Sequence, residues 1–119
     1  TIAFSDWVEG PSEMDGKTAL RICTFMKFPH VYSRGKYEEV LSENGFSVAS
    51  SEDLTEQFAD YVELYIRMLT DQLYFDALRI TGWDEEMLRA MGCEMMFMGQ
   101  TARNGGFGRV RLVGIKEQK

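Results

Sequence analysis

The sequence has a strand-like apolar run at residues 2–8, IAFSDWV, with no turn ahead of it and Glu9-Gly10-Pro11 directly behind. Its β-forming composition suits a strand buried on both faces, and the Gly-Pro pair is a turn signal. A strand of this kind must find neighbours further along the chain. Two stretches have the composition to provide them. In residues 46–49, Phe46, Val48 and Ala49 alternate with serine, as in a half-exposed strand. In residues 107–115, Val110, Leu112 and Val113 read as core.

Helical spacing fills the intervals. Residues 17–26 carry Ala19, Ile22, Cys23, Phe25 and Met26 near helical period, and Pro29 stops the run. Ser33 is an N-cap for a short helix through Asn44, with Tyr37, Val40 and Leu41 on one face and Asn44-Gly45 as a left-handed stop. The longest periodic stretch, residues 55–80, has a wide apolar face built from Phe58, Tyr61, Val62, Tyr65, Leu69, Leu73 and residues 75–78. Thr81-Gly82 breaks it, and Asp84-Glu85-Glu86 then put negative charge on the first turn of another helix. Met87, Met91, Met95 and Met98 follow at spacings of core-facing residues, and a Met-rich face also suits an adaptable binding surface or a second copy. The expected order is strand, helix, helix, strand, helix, helix, strand.

With 119 residues the chain forms a single domain, residues 1–119. A net charge of −6 and scattered basic residues argue against nucleic acid as a partner. No apolar run reaches membrane-spanning length, so no membrane is expected. Cys23 and Cys93 stand alone and read as reduced, mostly buried thiols of a cytoplasmic protein. One histidine and no ligand-like spacing leave no metal site to expect.

Three segments together resemble the class I S-adenosylmethionine-dependent methyltransferases. TIAFSDWVEGP resembles that family's fifth strand, SRGKYEEVLSENGFSVASSEDLTEQF its next helix and sixth strand, and FGRVRLVGIKE its seventh strand. Small-molecule N-methyltransferases, acting on sarcosine, dimethylglycine or phosphoethanolamine, are the nearest subgroup. The resemblance implies the C-terminal half of such an enzyme, cut before its fifth strand. The implied fold is α/β, a partial class I methyltransferase fold. It has a three-stranded mixed sheet whose last strand runs antiparallel between the other two, and about four helices including a lid. The family's glycine-rich cofactor loop has no counterpart; Gly-Gly-Phe-Gly at 105–108 precedes a strand and reads as a turn. S-adenosylmethionine is the cofactor implied for a full-length enzyme, and none is expected to bind this chain alone, which is then inactive by itself.

The substrate side remains, for a small-molecule substrate. Asp6 and Trp7 fall at the carboxyl end of the first strand, where open α/β sheets place ligands. Trp7 fits two roles equally: stacking on a methylammonium or planar acceptor, or packing under the following loop. By resemblance, His30 and Tyr32 in KFPHVYS belong to the loop covering the substrate, with His30 as general base or donor and Tyr32 as a hydroxyl donor. A surface-loop histidine is the plainer alternative for His30. Lys27 stands ready for an anionic substrate group or for solvent. Glu52 and Asp53 fit a helix cap better than acid–base work, since methyl transfer mainly needs positioning. A first strand with an unpaired edge is a template for another chain. A homodimer, or association with the missing N-terminal half, is therefore expected. The alternative function is a stand-alone α+β module that binds a small ligand or protein without catalysis.

Overall fold

The computed structural model describes residues 1–118. Three strands, β1 (Ile2–Glu9), β2 (Phe46–Asp53) and β3 (Phe107–Lys116), form one sheet in the order β1-β3-β2. β3 runs antiparallel to both neighbours, so β1 and β2 point the same way. The expected sheet is thus present, with the last strand reversed between the other two. Its register sets Trp7 opposite Arg109 and Glu52 opposite Arg111. A bulge between Val48 and Ser50 lets β2 keep both ends in register with β3.

Alternation along the strands divides the core in two. On one face Val8, Val110 and Leu112 pack with Leu41 of α2 (Arg34–Glu43), joined by Phe4, Tyr37 and Phe46. On the other, Phe107 packs with Ile22 of α1 (Gly16–Met26) and Met98 of α5 (Glu85–Arg103), with Trp7, Phe28 and Phe58 around them. β1 is less buried than its composition suggests. Val8 is buried, whereas Ile2, Ala3 and Ser5 are exposed; Ala3 and Ser5 lie on the second face, which helices cover only near the strand's carboxyl end.

Side chains fix the helix starts. Asp15 accepts from the Thr18 N–H at the head of α1, Ser33 from Lys36 at α2, and Asp84 from Met87 at α5. α1 ends at Met26, where Lys27 turns left-handed (φ 61°), two residues before Pro29 acts.

The long stretch at 55–80 is two helices, α3 (Thr55–Thr70) and α4 (Tyr74–Ile80), so the described residues hold five helices where about four were expected. Asp71 leaves helical geometry at φ −127°, ψ −86°. Leu73 then restarts the chain by donating its N–H to the Met68 carbonyl at 2.8 Å. Leu69 and Leu73 keep helical spacing across the polar Thr70-Asp71-Gln72, which is why periodicity alone does not reveal the break. α4 closes on a Schellman motif: Gly82 (φ 71°) donates to the Arg79 carbonyl and Trp83 to that of Leu78.

α3 and α5 lie side by side, close enough that a Cβ on Gly99 would come within 3.1 Å of Val62 Cγ1. Both meet the sheet near β3 and carry α4 at their far end. The molecule is accordingly drawn out to 57 × 29 × 23 Å, with a radius of gyration of 16.9 Å. A compact domain of this length would measure about 13–14 Å. Along this arm Tyr61, Tyr65, Phe75, Ile80, Trp83 and Met87 are exposed.

Candidate functional site at the carboxyl end of the first strand

The chain leaves β1 through a turn locked onto the start of β3. Gly10 donates its N–H to the Gly106 carbonyl at 3.0 Å, and Ser12 donates to Gly105 at 2.9 Å. Only glycine fits at position 10, since a Cβ there would stand 2.1 Å from the Gly105 carbonyl oxygen. On the outer side of β1, Glu9 donates to the Tyr32 carbonyl at 2.9 Å and forms a parallel bridge with Ser33. The loop between α1 and α2 is thereby held along the end of the strand. Between them lies a cavity of about 220 Å³ lined by Asp6, Trp7, Phe28, Pro29, His30, Val31 and Tyr37.

Asp6 organises this cavity. Its Oδ1 accepts the Trp7 N–H at 2.8 Å and its Oδ2 accepts the Tyr37 hydroxyl at 2.5 Å. Burial, and then the hydrogen bond to Asp6, push the Tyr37 hydroxyl up to about 12, so it stays protonated and donating. The His30 ring lies 4.2 Å from that of Tyr32, which meets Tyr37 edge-on at 5.8 Å. Three of the residues named from sequence therefore gather here: Trp7 and His30 line the cavity, and Tyr32 stands beside it. Lys27 does not join them; it is exposed at the end of α1, outside the lining.

Trp7 is held on several sides. Phe28 approaches it at 5.7 Å, Phe58 edge-on at 6.4 Å, and the Arg109 guanidinium covers the ring at 4.6 Å from its centroid. Arg109 is itself anchored by a 2.9 Å bond to Ser5 Oγ. The indole Nε1 is buried without a hydrogen-bond partner. Such an orphan donor is uncommon in a settled core.

Tyr37 and Arg109 were not foreseen as site residues. Tyr37 had a signal, because a tyrosine on an apolar helix face needs a partner for its hydroxyl and Asp6 was the nearby unassigned acceptor. Arg109 had none, since its pairing with Trp7 depends on strand register.

The other candidates divide. Asp53 accepts the Thr55 N–H at 2.9 Å from one residue ahead of Leu54, which takes the cap position of α3 without a side-chain bond, so the acidic pair does not itself cap the helix; Glu52 pairs with Arg111 across the sheet at 2.6 Å. The Thr55 bonds hold Asp53 below the usual carboxylate range. Gly105 and Gly106 form the turn into β3. Met87 and Met91 are exposed and Met98 buried, so the methionine stripe enters the core only at its sheet end. Cys93 is exposed and Cys23 half-buried, against the expected burial of both. Among the described residues no group of three His, Cys, Asp or Glu could hold a metal, and no helix is long and apolar enough to cross a membrane.

No family model matches the chain, and no curated protein matches it by sequence. Solved structures do. A Galdieria sulphuraria protein provisionally assigned as a sarcosine dimethylglycine methyltransferase superposes with a TM-score of 0.82 at 14% identity, over 98% of this chain and 42% of that one. The fold is that of a methyltransferase's C-terminal portion. A mycolic acid cyclopropane synthase complexed with SAH and CTAB follows with a TM-score of 0.73 at 19% identity, over 94% of this chain and 42% of that one. A Mycobacterium tuberculosis cyclopropane synthase gives 0.72 at 14%, over 96% and 43%. The chain thus spans less than half the length of the methyltransferase-type structures it matches.

The amides that directly follow β1 and β2 are taken up within the chain. An adenosyl cofactor of this class would sit against free amides at a strand-to-helix turn. After β1, the Gly10, Ser12 and Glu13 amides all donate to carbonyls of the chain, and after β2 the Leu54 and Thr55 amides are taken by Arg109 and Asp53. Asp53 also places negative charge at that second turn.

Proposed function

We propose that this chain is the acceptor-binding portion of an S-adenosylmethionine-dependent methyltransferase that acts on a small molecule. The superposition of 98% of the chain at a TM-score of 0.82 carries the reading. The cavity at the carboxyl end of β1, where ligands of open α/β sheets lie, supports it.

In this reading the cofactor is held by polypeptide outside the described residues, and these 119 residues alone neither bind it nor catalyse. Their task is to hold the acceptor. Trp7, Phe28 and Val31 exclude water, Tyr37 and His30 supply polar contacts, and Asp6 fixes Tyr37 in place. An amine like that named for the Galdieria sulphuraria protein is the favoured acceptor. Displacement at a methyl group gains chiefly from alignment and desolvation, which a site of this kind provides without a strong acid or base. The arm of α3, α4 and α5 serves as the lid. The outer edge of β1 takes a further strand, from the same polypeptide or from a second copy.

The test is methyl transfer by the full polypeptide carrying these residues, with labelled S-adenosylmethionine and a panel of small secondary and tertiary amines. Transfer to at least one of them is expected. A protein that binds an amine yet transfers no methyl group would instead be the non-catalytic binding module.

A further inference from the structure

A second cavity, of about 260 Å³, opens in the helical arm between α3, α4 and α5 and shares no residue with the acceptor cavity. Ile66, Leu69, Leu88 and Met96 give it apolar walls, and Cys93 adds a soft, polarisable one. Glu85, Tyr74 and Arg89 supply its polar groups. The hollow is open on one side, where Glu85, Arg89, Cys93 and Met96 are exposed; an enclosed apolar cavity of about 150 Å³ already accepts a benzene ring.

The two glycines in the middle of α5 explain why the space is there. Glycine is the poorest helix former after proline, so each needs a reason. Gly99 has one, because Val62 of α3 packs directly against it. Gly92 lines the cavity, and a Cβ added to it would meet nothing within 4 Å. Helix packing does not require Gly92, and a longer side chain there would reach into the hollow.

The polar groups select the ligand. The Glu85 carboxylate accepts the Tyr74 hydroxyl at 3.1 Å and is engaged. Arg89 has no carboxylate of the described residues within ion-pair distance. We propose that this cavity binds a small amphiphile, with an apolar chain of about six to ten carbons in the space beside Gly92 and an anionic end at Arg89. The site is separate from the acceptor site and does not depend on the methyltransferase reading.

Thermal melting of the full polypeptide with octanoate, octylamine and acetate tests it. Octanoate at saturation raises the melting temperature by about 3–5 °C, acetate has no effect, and octylamine raises it less. Gly92→Leu fills the hollow and improves the helix, so it melts no lower than the parent yet loses the octanoate response. Arg89→Gln erases the preference for octanoate over octylamine. No octanoate shift in the parent, an undiminished shift in Gly92→Leu, or a larger shift with octylamine would overturn the proposal. Loss of methyl transfer with the octanoate shift intact would count only against the functional reading above.

Discussion

Arg109 lays its guanidinium over the ring of Trp7, directly across the β1–β3 pair, with 4.6 Å from the charge centre to the ring centroid. One face of the Trp7 ring is thus already covered by a cation of the chain itself. Arg109→Gln is expected to cost about 0.5–1 kcal/mol of stability, the range for a partly exposed cation–π pair. In a Trp83→Phe background, which leaves Trp7 as the remaining tryptophan, its emission should shift to the red. Unchanged emission and stability would show that the stack contributes nothing.

The Asp6–Tyr37 bond gives an alkaline signature. The folded Tyr37 value of about 12 lies above the unfolded value near 10. The protonated hydroxyl therefore favours the folded state, and its contribution is complete below pH 10 and lost as pH rises toward 12. Urea midpoints should fall more steeply over that window for the parent than for Tyr37→Phe. Parallel curves would contradict the bond.

Asp53 gives the opposite sign. Its bonds with Thr55 lower its folded value, so it stabilises above the unfolded carboxylate range and loses that contribution as pH falls through the depressed value. Asp53→Asn should be less stable than the parent at pH 6, and the two should converge in acid. A constant gap down to pH 2 would point to packing instead.

Gly10→Ala tests the lock between the β1 turn and β3, because the added Cβ has no room beside Gly105. Forcing backbone apart typically costs about 1–3 kcal/mol, which a denaturant titration would read directly. Gly16→Ala, where a Cβ meets nothing within 4 Å, is the control and should be neutral or stabilising.

Much of this architecture was legible in the residues themselves. Ser33, Asn44-Gly45 and Asp84 mark helix ends by local chemistry, so those boundaries emerge within a residue or two. The reversed middle strand followed from the likeness of FGRVRLVGIKE to a known seventh strand. What stayed hidden depends on distant contacts. The break at Asp71 lies between Leu69 and Leu73, whose spacing keeps the helical period across it. The Arg109 stack needs the register of two strands about 100 residues apart, and the exposure of Ala3 and Ser5 depends on which helices reach their face. Lys27, for which solvent was one of the two expected settings, is exposed at the end of α1.

The most direct measurement is steady-state methyl transfer by the full polypeptide, comparing the parent with Tyr37→Phe and His30→Ala at varied acceptor and varied cofactor. If these residues hold the acceptor, its KM rises about tenfold or more, equivalent to at least ~1.4 kcal/mol of lost binding. The cofactor KM then stays within about twofold of the parent. A rise confined to the cofactor, with acceptor binding untouched, would contradict the assignment of this cavity to the acceptor.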